Sequence, residues 1–507
     1  MSARLRELPE TDGSNPWLTI VVVCVAQFMI VLDATIVNVA LPSIQRGLHF
    51  STSGLQWVIT IYTLAFGGFM LLGGRLGDVL GRRRVFGAGI AIFTTASLLN
   101  GLAQSPATLI AGRGLQGLGG ALLAPAVLSI ITTTFGDGSE RAKALAIWSA
   151  ISAGGGAVGL ILGGVLTDLA SWRWIFFVNV PVGAVLAAAT ARFVPPFRSS
   201  NPTRKFDLPG AVTVTAGLMV LVFAVAKSAE YGWGSTRTIL PLAVGLGLFV
   251  GFIAIEERST APLVRLGIFH TRSFTAADIT LLLTSGAVFS TFYFVSLYLQ
   301  QIVGFQPLSA GTAFLPFSAG IATGATVARK LVPRLGVRAV AMTGLTLGVV
   351  GMVSLIRLPV EGRYVTDLLP SLLALGFGLG LTFVPITLSG TSEVGAEDAG
   401  LASGLLNTAQ QVGGSIGLAI LASLSTDRTN SLRSSVAHRS VDAARVSGFH
   451  VAFIAAAVLL GAAWMVVTLR AKPREAHPIE VPRIAAARAI GCAQCAPVAE
   501  TVQKGIA

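Results

Sequence analysis

A series of long apolar segments limits what this chain can fold into. About fourteen stretches of roughly 20 residues, rich in Ala, Val, Leu and Gly, follow one another and are separated by short polar segments. A helix rises ~1.5 Å per residue, so about 20 residues cross the hydrocarbon layer of a bilayer. The stretches are too long and too uniformly apolar for the strands of a membrane barrel. The sequence therefore predicts an all-α polytopic membrane protein.

The predicted spans are bounded by charged residues, Pro and Gly. We place them near residues 17–41, 54–74, 84–103, 107–133, 142–167, 174–194, 209–227, 238–255, 274–299, 309–329, 338–357, 367–390, 399–424 and 448–469. An even number of spans puts both termini on the same side of the membrane.

The composition agrees with this class. Of the 507 residues, 53% are hydrophobic and 12% are charged, and the mean hydropathy is +0.76, whereas soluble chains carry about 25% charged residues. The net charge of +13 would suggest nucleic-acid binding in a soluble protein, but 25 of the 36 Lys and Arg residues fall on the side of the predicted membrane that holds the termini. By the positive-inside rule that side is the cytoplasm. We therefore expect a protein of the cell membrane with cytoplasmic termini and no nucleic-acid partner.

A dense charge cluster, GRLGDVLGRRR at 74–84, lies between the second and third spans. Its charges cannot lie in hydrocarbon, where each would cost about 2.5 to 3.5 kcal/mol, so we predict a short loop at a membrane face. The glycines allow two helix ends to approach closely, and the carboxylate can bind several guanidinium groups. The residues of interest are Gly74, Gly77, Asp78, Gly81, Arg82 and Arg83.

This cluster resembles the Gly-x-x-x-Asp-x-x-Gly-Arg-Arg signature between the second and third helices of the major facilitator superfamily. The resemblance implies a gating loop that holds two halves of a transporter together on the cytoplasmic side and is broken and remade in each cycle. The alternative is a basic turn that only orients the protein in the membrane. Orientation requires the arginines but neither the glycines nor the Asp, which favours the gating loop.

The segment KLVPRLGVR at 330–338 repeats part of this cluster. Its Leu, Gly and Arg positions match at a constant offset of 255 residues, so Gly336 corresponds to Gly81, while Pro333 takes the place of Asp78. Two six-span units with an inserted helix pair form the plan of a transporter whose ligand path runs between pseudo-symmetric halves. The predicted domains are a cytoplasmic N-terminus at 1–16, a first six-helix bundle at 17–200, the inserted pair at 201–273, a second six-helix bundle at 274–470 and a disordered cytoplasmic tail at 471–507.

Asp33 lies inside the first predicted span and Arg113 inside the fourth. Ionisable groups within a span indicate a functional site. Counted from the outer ends of their spans at ~1.5 Å per residue, the two charges lie at depths within about 3 Å of each other, which allows them to pair. A partner that moves away would tie protonation of the carboxylate to conformation. A static ion pair that only fixes helix packing is the alternative.

Two further motifs resemble the same superfamily. Arg113 begins Arg-Gly-Leu-Gln-Gly, similar to a fourth-helix motif implicated there in proton transfer, and Gln116 shares its helix face, so we expect that face to line the central cavity. The fifth span has a ridge of glycines that permits close helix contact and is similar to the exporter motif Gly-x-x-x-Gly-Pro-x-x-Gly-Gly, with Leu160 in the place of Pro. Simple packing is the alternative for this seam. The seam comprises Gly155, Gly159, Gly163 and Gly164.

Four strings together resemble the fourteen-span drug:proton antiporter family. They are LDATIVNVALP at 32–42, WRWIFFVNVPVG at 172–183, QQIVGFQPLSAG at 300–311 and GLASGLLNTAQQVGGSIG at 400–417. The resemblance covers residues 17 to about 470. It implies a monomeric, proton-coupled exporter whose partners are a small-molecule substrate, protons and the lipid bilayer.

Other polar residues within spans extend the list of candidates. Asp278 is either a helix cap near the inner end of the ninth span or a second proton site. Asn407 and Gln411 share one helix face and are expected to make interhelical hydrogen bonds rather than contact substrate. Together with Asn38 and Gln116 they are the polar candidates for the cavity.

Nothing in the sequence indicates an enzyme or a resident cofactor. A Walker Lys-Ser/Thr loop, a zinc cluster and a Ser/His/Asp cluster are all missing from the chain, and Cys492 and Cys495 form one isolated pair in the tail. The leading interpretation is a proton-coupled exporter of amphipathic or hydrophobic small molecules. A dedicated exporter of one metabolite, antibiotic or lipid is the alternative. A non-transporting membrane receptor would explain the spans but not Asp33, Arg113 and the charge cluster.

Overall fold

The computed structural model describes residues 16–135, 139–196, 207–259, 262–394, 399–435 and 440–470, and every regular element within these ranges is helical. The long helices are α1 (Pro16–Leu48), α2 (Trp57–Leu80), α3 (Arg82–Gly101), α4 (Pro106–Thr134), α5 (Ser139–Leu169), α6 (Asn179–Phe193), α7 (Leu208–Tyr231), α8 (Thr236–Arg258), α9 (Arg272–Leu297), α10 (Leu315–Leu355), α11 (Leu369–Ser392), α12 (Ala399–Ser435) and α13 (Val441–Arg470). Short helices at Thr52–Leu55, Trp174–Phe177 and Pro307–Ala313 connect some of them.

Length and apolarity make ten helical segments in these ranges candidate membrane spans. The segment Pro307–Leu355 has 49 residues, enough to cross a bilayer twice, and α10 is kinked within it at Gly336. The all-α membrane fold predicted from the sequence is therefore confirmed. α1 and α12 run well past their predicted ends at 41 and 424, because polar side chains reach water while the backbone stays helical.

The charge cluster at 74–84 is not the short loop that the sequence predicts. α2 continues to Leu80 and α3 begins at Arg82, so only Gly81 leaves the helical conformation, with φ 92° and ψ 132°. A positive φ of this kind is strained for a residue that carries a Cβ. The prediction of a loop at 74–84 was wrong because charged side chains reach water equally well from a helix that protrudes from the membrane.

Gly336 in α10 has nearly the same backbone conformation as Gly81. Its φ is 83° and its ψ is 159°, and it lies at the position that the sequence repeat assigns to Gly81. Each glycine turns the chain between two helices where other residues would be strained. The match supports the internal repeat, while the division into two six-helix bundles stays a prediction.

The glycines of α5 bring it directly against α1. A Cβ added to Gly159 would lie 2.9 Å from the carbonyl oxygen of Leu32, and one added to Gly163 would lie 2.7 Å from that of Ile36. Gly155 faces the same helix at Val31. The predicted close contact is therefore present, and it fixes the part of α1 that surrounds Asp33.

α7 and α8 pack on each other, and α7 also contacts α2 and α12. The hydroxyl of Thr215 donates to the carbonyl oxygen of Gly68 at 2.8 Å, and the hydroxyls of Ser228 and Ser423 are hydrogen-bonded at 3.0 Å. The predicted inserted pair therefore contacts one helix from each predicted bundle.

Candidate functional site: a buried polar cluster around Asp33

Four helices, α1, α3, α4 and α6, meet around Asp33, and the start of α4 is fixed by its local sequence. α4 begins with a capping box in which the side chains of Ser105 and Thr108 satisfy each other's backbone N–H groups, and Pro106 occupies the first helical position. This start sets the level of Arg113 and Gln116 in the first three turns of α4. Both face α1, so a carboxylate in the middle of α1 comes within their reach.

The carboxylate of Asp33 has no exposed surface and accepts three hydrogen bonds. Nη1 of Arg113 donates to Oδ2 at 2.6 Å. Nε2 of Gln116 and Nδ2 of Asn179 donate to Oδ1 at 2.7 Å and 3.0 Å. Charge-assisted bonds of this kind are the strong ones in proteins, and here they hold one carboxylate between α1, α4 and α6.

Arg113 is only 1% exposed and is held on several sides. Its Nε donates to the carbonyl oxygen of Val58 at 3.0 Å, and its Nη1 also donates to Oε1 of Gln116 at 2.8 Å. The guanidinium carbon lies 4.0 Å from the centre of the Tyr62 ring, which adds a cation–π contact. A lysine could not make these contacts together, because its ammonium lacks the planar fork of donors.

Gln116 links the ion pair to α3. Its Nε2 donates to the hydroxyl of Ser97 at 2.7 Å, and its Oε1 accepts from Nδ2 of Asn100 at 2.8 Å. We call Asp33, Arg113 and Gln116, with Ser97, Asn100 and Asn179, the buried polar cluster; none of its members is more than 2% exposed.

The charge of the Asp33–Arg113 pair and its isolation from water determine what the buried polar cluster can do chemically. An ionised Asp33 beside Arg113 is a neutral pair, and removing either partner would leave a buried charge that costs about 3 to 5 kcal/mol. The carboxylate is sealed from water, so it can exchange a proton only when the surrounding helices separate. It is therefore suited to bind a proton in one conformation and to be shielded in another.

The sequence predicted part of this cluster correctly. Asp33 and Arg113 pair as their depths suggested. The expectation that the face of Arg113 and Gln116 lines the central cavity was wrong for this conformation, because Arg113 is buried against α1 and α2 and Gln116 against α1 and α3. The depth argument could place the residues along the membrane normal but not around the helix axes.

The other polar candidates for the cavity lie elsewhere. Asn38 is 7% exposed, and its side chain donates to carbonyl oxygens of its own helix. Asn407 is exposed and also donates within its own helix, to Ser403, and it makes none of the expected interhelical bonds to the described residues. Gln411 is half-buried and its Cβ packs where α12 meets α2 at Gly67.

Sequence reasoning missed three members of the cluster: Ser97, Asn100 and Asn179. Each is a polar residue inside a predicted span, which is the signal that could have indicated it. Asn179 even lies within one of the family strings, WRWIFFVNVPVG, but that string gave no reason to place it beside Asp33.

Asp278 lies in the interior of α9 rather than at its end. The helix begins at Arg272, with Thr271 as its N-cap residue, so Asp278 cannot cap it and the cap interpretation was wrong. Its Oδ1 is buried and has no hydrogen-bond partner among the described residues.

The arginines of the charge cluster at 74–84 bind backbone carbonyls of neighbouring segments. Arg82 donates to Ser129 near the end of α4 at 3.4 Å, and Arg83 donates to Ala191 in the last turn of α6. Ala191 lies in the last turn of α6, where carbonyls lack helical partners and attract cations. The two contacts tie the turn at Gly81 to α4 and α6. The side chain of Asp78 lies outside the described part of the chain, as do Cys492 and Cys495.

Together, the helical membrane fold and a charged cluster sealed between its helices define a membrane transporter. The chain belongs to the Major Facilitator Superfamily, whose model matches residues 23–418. It is 40% identical over 472 residues to the puromycin resistance protein pur8 of Streptomyces alboniger, covering 90% of this chain and 93% of that protein. It is 38% identical over 449 residues to the cephamycin export protein CmcT of Amycolatopsis lactamdurans, covering 88% and 92%.

A solved structure has the same fold. It is a bacterial homologue of the human lysosomal transporter Spinster in an inward-facing and unoccupied conformation, with a TM-score of 0.62 and 17% sequence identity, covering 90% of this chain and 98% of that one. At this identity the likeness concerns the fold alone.

Proposed function

We propose that this protein exports amphipathic or hydrophobic small molecules in exchange for protons, by alternating access. It acts in the cell membrane, as a monomer with both termini in the cytoplasm. The observation that carries the proposal is the complete burial of Asp33 beside Arg113 in a transporter fold. The names of relatives, which refer to resistance and export, support the direction of transport.

The mechanism follows from the charge of the pair. When Asp33 is ionised, it and Arg113 are together neutral and the helices pack tightly. When Asp33 is protonated, Arg113 carries an uncompensated positive charge among apolar helices, which costs several kcal/mol. That cost favours a conformation in which the guanidinium reaches water or a polar group of the substrate. Loss of the proton to the cytoplasm restores the pair and the packed state.

Other residues complete the proposal. Asp278, with its unpartnered buried oxygen, is a second proton site in α9. The cluster at 74–84, with Gly74, Gly77 and Asp78 as well as the turn at Gly81, gates the cytoplasmic side. The substrate path runs between the two predicted six-helix bundles at 17–200 and 274–470.

A second candidate function is export of one dedicated antibiotic or other metabolite. Two relatives that align along nearly their whole length are each named for a single antibiotic, puromycin or cephamycin. Comparing the accumulation of a panel of unrelated compounds in cells with and without the protein separates the two: a dedicated exporter changes the accumulation of one chemical class.

Export from reconstituted vesicles driven by a pH gradient, with binding of the same compound measured in parallel, tests the proton role. Asp33→Asn keeps the shape and the hydrogen bonding but fixes the neutral state. Arg113 then lacks its counter-charge, so we expect a protein that is less stable but still folds and binds compound, and that loses gradient-driven export at least tenfold. Glu361→Gln, an exposed carboxylate in the connection between α10 and α11, is the matched control and should transport normally. Gradient-coupled export by folded Asp33→Asn protein would falsify the role of Asp33 and direct the same test to Asp278.

A further inference from the structure

The two predicted bundles contact each other closely at one end. This end contains the C-termini of α1, α3 and α5, and the positive-inside rule predicts it to be the outer one. Three hydrogen bonds join α1 to the region at the end of α9. They are Ser296 Oγ to Asn38 O at 2.6 Å, Gln300 Nε2 to Val39 O at 2.9 Å and Gln301 Nε2 to Gln45 Oε1 at 2.8 Å.

Backbone-to-backbone contact extends this seal from α5 to the short helix Pro307–Ala313. A Cβ on Gly164 would lie 2.5 Å from Cα of Leu308, and a Cβ on Gly311 would collide with the carbonyl oxygen of Leu160. Both glycines are therefore needed for the helices to approach this closely. The fourth glycine of the α5 seam thus faces the second bundle and not α1.

One charged group crosses the seal. Oδ2 of Asp168, in the last turn of α5, accepts a hydrogen bond from the backbone N–H of Leu308 at 2.8 Å. Leu308 is in the first turn of its helix, where N–H groups have no helical partner. The N-cap residue of that helix, Gln306, provides no side-chain cap in the described structure. Asp168 therefore supplies, from the first bundle, the cap that the helix of the second bundle lacks.

We propose that Asp168 is a positioning residue for transport. Its carboxylate latches the second bundle to the first while this end is closed and releases Leu308 each time this end opens. The proposal rests on the alternating access of the proposed function, but it does not depend on proton coupling or on Asp33. Asp168 is exposed, so its substitution leaves no cavity and no buried charge behind.

Loss of the latch should shift the population toward the state that is open at this end. The hydrogen bond from Leu308 to the charged Asp168 stabilises the closed state, and solvent exposure reduces that stabilisation. Its loss should change the ratio of open to closed molecules about fivefold. Asp168→Ala should therefore raise the open-to-closed ratio about fivefold. Asp168→Asn, which keeps an acceptor oxygen without the charge, should give an intermediate ratio.

Pulsed electron spin resonance on the full chain in lipid nanodiscs measures this ratio. Spin labels at Leu102→Cys and Val365→Cys, both exposed and on the two sides of the seal, are placed in a background without the native cysteines. Glu361→Ala removes a carboxylate at the same end that has no hydrogen bond or ion pair among the described residues, and it serves as the control.

The distance distributions decide the proposal. Expected are mainly short distances for the parent protein and for Glu361→Ala, and more long distances for Asp168→Ala at an unchanged melting temperature. Equal distributions in all of these proteins would overturn the latch. If Asp168→Ala does not fold, Asp168→Asn is measured instead, and a distribution identical to that of the parent protein overturns the proposal. The labels report conformation without a proton gradient, so failure of proton coupling would leave this result unaffected.

Discussion

Asn179 of α6 donates a hydrogen bond at 3.0 Å to Oδ1 of Asp33, the oxygen that also accepts from Gln116 of α4. Two helices thus share one carboxylate oxygen of a third. Any movement of α4 relative to α6 must remove a donor from Asp33, which makes its ionised form less favourable. Under the proposed function, this geometry would couple helix rearrangement to proton uptake.

Replacing Asn179 tests that relationship. Asn179→Ala removes one donor to the carboxylate but leaves Arg113 and Gln116, so the protein should fold and transport. A hydrogen bond to a charged group contributes about 1.5 to 3 kcal/mol, so the pH of half-maximal gradient-driven export should move upward by about one to two units. The pH profile of export in reconstituted vesicles measures the shift.

Asn407→Ala is the matched control for this experiment, because Asn407 is exposed and its amide donates only within its own helix. Its pH profile should coincide with that of the parent protein. An unshifted profile for folded Asn179→Ala would show that Asn179 does not act on the titrating group.

The Asp33–Arg113 pair should behave as a buried ion pair in a double-mutant cycle. Asp33→Leu or Arg113→Met alone leaves an uncompensated charge and should reduce stability by about 3 to 5 kcal/mol. The double variant removes both charges and should be more stable than either single variant. Thermal unfolding in detergent, followed by tryptophan fluorescence, gives the order of stabilities.

The pair Asp442–Arg445 at the start of α13 is the control for this cycle. Its atoms are 3.5 Å apart and both side chains are more than a third exposed. Breaking it with Asp442→Asn should cost no more than about 1 kcal/mol. Single variants at Asp33 and Arg113 as stable as this control would show that the cluster is hydrated in the membrane.

The two glycines with matching backbones, Gly81 and Gly336, should be equally intolerant of alanine. Both have a positive φ, so a Cβ at either position costs about 1 to 3 kcal/mol. Gly87→Ala is the control, since Gly87 is helical in α3 and has no atom within 4 Å of its Cβ position. That change should be neutral or stabilise by up to about 1 kcal/mol.

Melting temperature and export measured together check this prediction. Gly81→Ala and Gly336→Ala should both melt at lower temperature than the parent protein. Parent-like stability and transport in Gly336→Ala would indicate that the second turn is not functionally equivalent to the first.

The sequence by itself determined the membrane class and the charged residues that an apolar span does not ordinarily contain. The length of each apolar segment is read directly from the sequence. A segment in lipid must hydrogen-bond its own backbone N–H and C=O groups, so a long apolar segment indicates a helix. A charge inside a span is equally visible, because ionisable residues are rare in apolar spans, and this is why Asp33 and Arg113 were found. The repeat of Gly81 at Gly336 was visible because a backbone with positive φ favours glycine, so the same residue type occurs at both positions.

Only the tertiary structure decided which polar residues meet. Asp33, Gln116 and Asn179 lie on three helices. Whether Gln116 and Asn179 reach the carboxylate of Asp33 depends on how each helix is rotated about its axis. That rotation is set by packing, such as the close approach of α5 to α1 at Gly159 and Gly163. The same holds for Asp168. Its partner is the backbone N–H of Leu308, which nearly every residue type has, so the identity of residue 308 does not indicate the contact. Span depth follows from counting residues, whereas the direction in which a side chain points across a bundle follows from contacts between distant parts of the chain.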